Sequence, residues 1–119
     1  IHPGNLHLTS DVVFYLVDCD NPIFAPKEHD LALIGGCSTW SDPRQQALFY
    51  QGYGPATIDP TALAYYRYER IVQDFAAYCE QLLLSDAGSE DREQGFYYFT
   101  SNFLPGHEIE LAREIDPTP

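Results

Sequence analysis

The 119-residue sequence contains no methionine, only six lysines and arginines, three cysteines and one tryptophan. It also lacks any apolar run approaching the length of a membrane span. Each shortage excludes something. With no stretch of about 20 apolar residues and no basic-then-apolar leader, neither a transmembrane nor a secretory reading has support, and a soluble, cytoplasmic chain without a membrane partner is expected. Six basic residues against eighteen acidic ones give a net charge of −12. That balance argues against holding nucleic acid by its phosphates and permits a cationic small-molecule partner. Cys19, Cys37 and Cys79 are odd in number and widely spaced. They form neither a disulfide framework nor a CxxC zinc pattern, so free thiols in a reducing cytosol are expected. The missing methionine leads to the expectation that these residues are a fragment or a processed product.

What is present begins with two short apolar runs. Residues 5–8 and 12–17 read as strands, joined by the polar Thr9-Ser10-Asp11 into a hairpin. The run "DVVFYLVD" is apolar on both alternate faces, which predicts a strand covered on both sides. Pro22 and Pro26 then forbid a regular element. A short helix is expected over about 27–35, stopped by Gly35-Gly36. A second follows Ser41 or Asp42 as cap, with Pro43 in its first turn and Gly52 or Gly54 at its end. The best-marked helix is capped by Asp59, opened by Pro60 and runs to Gly88. Its buried stripe is read as Ile71, Phe75, Tyr78 and Leu82, with Arg70 and Asp74 paired four apart on its surface. Further helices are expected after Ser89, to Pro105-Gly106, and over about 107–115. The fold class is therefore α+β, mainly α: one β-hairpin followed by four to five helices in a single domain, 1–119.

If the hairpin closes near Ser10-Asp11, Asn5 and Asp18 fall at its open end. Paired strands lie about 4.8 Å apart, so the two side chains are neighbours even with a small register error. An amide oxygen and a carboxylate are hard donors suited to Mg²⁺. Asp20, two residues on, adds a second carboxylate. Spacing alone leaves other readings open, since Asn and Asp flank hairpins generally. His2, His7 and Asp18 can be read as a transition-metal cluster, or as a loop histidine and a strand-surface histidine. Cys19 reads as a packed small hydrophobe, because flanking carboxylates raise a thiol's pKa and weaken it as a nucleophile. Trp40, Tyr65, Tyr66 and Tyr68 read either as a ligand platform or as core edge. Glu69, Asp74 and Glu80 either face a cationic substrate or form a solvated helix face.

"IHPGN", an apolar strand, a turn, a second apolar strand and "VDCDNP...EHDLA" together resemble the aminoglycoside phosphotransferase family, small-molecule kinases of protein-kinase-like fold. "FYQGYG" at 49–54 and the tyrosine-rich helix after it resemble that family's helical lobe. The resemblance implies the C-terminal, substrate-binding lobe of such a kinase, with ATP as phosphate donor and Mg²⁺ as cofactor. It implies that Asn5 and Asp18 are the metal ligands, Asp20 an auxiliary ligand, and His2 and Asp30 supports of the catalytic loop. In the family's His-x-Asp-x-His-x-Gly-Asn loop, the proton-accepting aspartate would stand immediately before Ile1, and the nucleotide-covering lobe further upstream. These residues alone are thus expected to be inactive and, without their partner lobe, to self-associate. The expected substrate is an aminoglycoside-like hydroxyl compound. A choline- or homoserine-type kinase and a non-catalytic binding module are the competing readings. Which acidic residues face the substrate is left open.

Overall fold

The structure is a computed structural model that describes residues 3–18, 22–84 and 88–118. A 3-10 turn over Pro3–Asn5 leads into β1 (Leu6–Leu8), which pairs antiparallel with β2 (Phe14–Leu16). Leu6 stands opposite Leu16, His7 opposite Tyr15 and Leu8 opposite Phe14. The connection is built on Thr9. Its N–H donates to the Val13 carbonyl at 3.0 Å, its hydroxyl accepts from the Val13 N–H at 3.1 Å, and the hydroxyl donates to the Asp11 carboxylate at 2.5 Å. That last bond pulls the Asp11 carboxyl below its ordinary range. Val12 adopts φ 65°, a left-handed conformation unusual for a β-branched residue, which is why β2 starts at Phe14 rather than at 12.

The expectation that this strand is covered on both sides is not met. Leu8 and every residue from Val12 to Val17 are 40% to 78% exposed. The physical reason lies in where the helices pack, for the main contacts between elements run from one long helix to three others and between the two strands.

Those helices are α1 (Lys27–Leu31), α2 (Pro43–Tyr53), α3 (Pro60–Leu83), α4 (Ser89–Ser101) and α5 (Glu108–Ile115), with a 3-10 turn over Ser38–Trp40. The architecture is mainly helical with a single two-stranded hairpin among the described residues, in agreement with the sequence reading. Helix α1 ends at Leu31, short of residue 35, because the chain tightens into turns closed by Ile34 N–H to Leu31 O and Gly36 N–H to Leu33 O. Gly35 still provides the left-handed stop, at φ 71°. Asp42 caps α2 through the Arg44 N–H at 2.8 Å, and Gly54 closes it at φ 91°. Asp59 caps α3, accepting from the N–H groups of Thr61 and Ala62.

The core gathers Leu31, Ala32, Ile34 and Leu63, with Trp40, Phe49, Tyr50, Ile58, Tyr66 and Ile115 packed around them. On α3 the buried residues are Leu63, Ala64, Arg67 and Ile71. The expected stripe therefore begins earlier, and its later members Phe75, Tyr78 and Leu82 are only half-buried. Phe75 meets Phe99 and Phe103 at ring separations of 5.0 and 5.3 Å, which ties α4 to α3. The radius of gyration is 16.0 Å, against about 13.5 Å for a compact domain of this length. The excess fits a helical body with an uncovered hairpin.

Candidate active site

The ladder continues one step beyond β1 and β2, because the Val17 N–H donates to the Asn5 carbonyl at 2.9 Å. This bond fixes Asn5 beside the end of β2, and the next residue, Asp18, turns at φ 58°. Aspartate tolerates this conformation better than most residues. As a result, the Asn5 amide nitrogen donates to an Asp18 carboxylate oxygen across the hairpin, a long contact of 3.3 Å. Asn5 is buried, whereas Asp18 is exposed. A flip of the Asn5 amide, exchanging nitrogen and oxygen, would set an amide oxygen beside the Asp18 carboxylate as a second hard donor. This donor set fits Mg²⁺, which keeps most of its coordination sphere for water and phosphate and needs only one or two protein groups.

His2, Cys19 and Asp20 lie outside the described residues. Among the described residues, no three His, Cys, Asp or Glu side chains converge as a metal cluster. His7 is an exposed strand residue opposite Tyr15. Asp30 is exposed as well, with the His29 ring nitrogen 3.6 Å from its carboxylate. Its neighbour Glu28, which the sequence reading passed over, is buried. Glu28 takes Lys27 Nζ at 2.8 Å and the Asp59 N–H at 3.0 Å. These two partners, Lys27 foremost, hold its carboxyl down to about 2. Glu28 thus joins α1 to the cap of α3.

Beside the hairpin end lies a cavity of about 390 Å³, reached by Gly4, the residue before Asn5. The segment 36–39 forms one wall, and Arg67, Arg70, Asp74 and Tyr78 of α3 form another, faced by Tyr98, Ser101 and Asn102 and by Glu108 of α5. Arg70 grips Asp74 through Nε and Nη2, both at 3.0 Å, as the i, i+4 spacing predicts. Glu108 Oε1 accepts both the N–H and the hydroxyl of Ser38 at 3.1 Å. Burial, with Asp74 and then Glu108 nearby, pushes the Tyr78 phenol up, so it stays a neutral hydrogen-bond donor. Burial likewise raises the Cys37 thiol and keeps it protonated.

Of the three acidic residues singled out on α3, the structure sends Asp74 into this cavity. Glu69 lines a separate hollow of about 130 Å³ with His29 and Tyr66, and Glu80 is exposed. Trp40 and Tyr66 pack against the core, while Tyr65 is exposed and donates to Glu69 at 3.3 Å. Trp40 and Tyr66 are thus core edge, Tyr65 is a surface residue, and the half-buried Tyr68 reaches Asp116, so the four do not form one platform.

The cavity floor rests on Arg67. Its guanidinium donates to the carbonyls of Ala32 at 3.1 Å, Ile34 at 2.9 Å and Leu111 at 2.8 Å. A buried arginine bonded to three backbone oxygens ties the turns after α1 to α5, and its burial lowers its pKa. Gly36 makes room for it: a Cβ there would stand 2.1 Å from the Ala32 oxygen and 2.5 Å from Arg67 Nε. The signal for Arg67 was its position, four residues after Leu63 and four before Ile71, within the buried stripe itself.

No family model and no curated protein matches the chain. A solved structure is similar to it: spectinomycin phosphotransferase APH(9)-Ia in complex with ADP and spectinomycin. The two superpose with a TM-score of 0.83 at 40% sequence identity, over 98% of this chain and 36% of that one. The chain therefore spans little more than a third of the length of that relative, and the shared fold is that of a kinase-like C-terminal lobe. No helix among the described residues is long and apolar enough to cross a membrane.

Proposed function

Because this chain belongs to the aminoglycoside phosphotransferase family, we propose that it forms the metal-binding and acceptor-binding part of an ATP- and Mg²⁺-dependent kinase acting on a small-molecule hydroxyl. The observation that carries this is the Asn5–Asp18 pair at the hairpin end, directly beside the cavity that Gly4 lines. In phosphoryl transfer the protein positions the groups and stabilises charge, and a loop Asn with a hairpin-end Asp is the pattern that holds the metal in kinases. When bound there, the ion neutralises charge on the transferring phosphoryl group. Asn5 and Asp18 hold it, the neutral Tyr78 phenol and the Asn102 amide orient the acceptor, and the walls of α3 and α4 restrict water. Asp20 serves as an auxiliary ligand, while His2 and Asp30 support the loop. An aminoglycoside-like acceptor and a cytoplasmic location accompany this reading, and the ADP and spectinomycin bound by the relative favour it over a choline- or homoserine-type kinase.

The exposed residues of the hairpin, Phe14 and Leu16 among them, form the face that the nucleotide lobe covers. On this reading the 119 residues alone do not catalyse, since the proton-accepting aspartate of the family loop would precede Ile1. The test is Asp18→Ala in the natural protein that contains these residues, with ATP–Mg²⁺ turnover measured by ADP release. The expected loss is on the order of 10³-fold in kcat with the fold retained. A kcat near that of the wild type refutes the assignment, and Asn5-dependent turnover by the 119-residue polypeptide alone refutes its inactivity.

A further inference from the structure

The chain carries a net charge of −12, yet among the described residues the charged groups lining the cavity beside Asn5 are Arg67 and Arg70 against Asp74 and Glu108. Locally the walls are balanced. Arg67 is fixed by three carbonyls and takes no carboxylate, so its charge is a permanent part of the floor. Arg70 holds both oxygens of Asp74 in a forked pair. Glu108 has one oxygen occupied by two donors from Ser38. A polyammonium ligand entering here must compete with Arg70 for Asp74 and approach the guanidinium of Arg67, which is hydrogen-bonded to carbonyls and influenced by Glu114 only at longer range. The polar wall also includes the Tyr78 and Tyr98 side chains with Ser101 and Asn102; the Ser101 hydroxyl and the Asn102 amide N–H donate to carbonyls of α4, so these two residues meet a ligand hydroxyl as acceptors.

We infer that Arg70 is a specificity-determining residue: by cancelling Asp74 it leaves the cavity without net charge, so the cavity takes a compact polyhydroxylated ligand with few amines and discriminates against polycations. This rests on the reading of the cavity as the acceptor site. The global negative field still draws cations to the protein, but the local balance decides what stays. Because the pair is partly solvent-exposed, with Arg70 at 52% and Asp74 at 31% side-chain exposure, its effect is moderate rather than absolute.

The experiment measures calorimetric affinities in the natural protein for three probes: myo-inositol (neutral), deoxystreptamine (a diamine) and spermine (a tetracation). The ring signals of Tyr78 and Tyr98 report, by NMR, whether each probe occupies the cavity. R70Q should tighten spermine binding about tenfold while changing myo-inositol by less than about twofold. D74N should weaken spermine binding, and the R70Q/D74N double variant should restore the wild-type ratio of spermine to myo-inositol affinity. That restoration is what charge balance requires and what a purely structural role for Arg70 would not produce. If the probes perturb Tyr78 and Tyr98 but the ratio is unmoved by R70Q, the inference fails and the acceptor-site reading stands. If no probe perturbs either tyrosine, the acceptor-site reading fails and takes the inference with it.

Discussion

The hairpin from Leu6 to Leu16 and the junction around Arg67 are held by different means. The hairpin has backbone bonds, one threonine-based turn and apolar side chains that remain largely exposed. The junction has Leu31, Ala32, Ile34 and Leu63 almost fully buried, with a guanidinium satisfying three carbonyls among them. Asn5 and Asp18, the residues proposed to hold the metal, lie on the first region, while the cavity walls belong to the second. Burial thus accumulates where the scaffold must be rigid. The main contacts between elements join α3 to α1, α4 and α5 and the two strands to each other, so the largely exposed hairpin belongs to the low-stability end of the structure by this measure.

The sharpest way to break this comparison is to remove the junction's central side chain. Arg67→Met keeps the length and apolar stem but deprives the carbonyls of Ala32, Ile34 and Leu111 of their donors. Each buried acceptor left unpaired costs about 1–3 kcal/mol, partly offset by no longer burying a charge, so a net loss of about 3 kcal/mol is expected. Urea denaturation of the 119-residue chain measures it. An unchanged midpoint would mean that desolvation of the guanidinium already cancels its three bonds, and the junction would owe its stability to the apolar residues alone.

A second prediction concerns the edge of the junction, where Glu28 links α1 to the cap of α3. Its carboxyl is held at about 2, below the ordinary 4.5, by Lys27 and the Asp59 N–H. A depressed folded-state pKa means the unfolded chain binds more protons, so stability rises with pH across that window. The contribution is present above about 4.5 and is lost as pH falls through about 2. Glu28→Gln should therefore flatten the acid-side slope of Tm between these values. A slope equal to that of the wild type would show that Glu28 is as well solvated in the folded chain as in the unfolded one.

Much of this organisation was legible in the sequence because it rests on local chemistry. Asp42-Pro43 and Asp59-Pro60 fix helix starts whatever packs around them, and Gly35 and Gly54 take the left-handed conformations that their positions required. The Asn5–Asp18 neighbourhood followed from strand pairing, which a small register error does not destroy. What was not legible depends on distant partners. Glu28 looked like one more acid in "KEHD", and only the Asp59 N–H, 31 residues away, makes it a buried joint. Gly36 read as half of a helix stop, but its lack of a Cβ serves Arg67. The cavity joins Gly4, residues 36–39, α3, the end of α4 and Glu108, segments with no shared motif. The covered strand was misjudged because an apolar pattern says that a face needs cover, not which residues provide it.

The smallest expected effect tests whether the hairpin is a separate unit at all. Val12 sits at φ 65° and is 78% exposed, so Val12→Gly removes a strained β-branched residue with little loss of burial. Relief of about 1–2 kcal/mol is partly offset by about 0.5–1 kcal/mol of added glycine entropy, leaving a gain near 1 kcal/mol or less. If the hairpin opens independently of the junction, this gain slows local opening only. Hydrogen exchange at Thr9, Val13 and Val17, whose N–H groups bond across the hairpin, should then slow by a few-fold while Tm stays within about a degree, because global unfolding starts from an already open hairpin. A rise in Tm of several degrees would show the opposite. The hairpin would then unfold together with the Arg67 junction, and the Asn5–Asp18 pair would share the rigidity of the cavity floor.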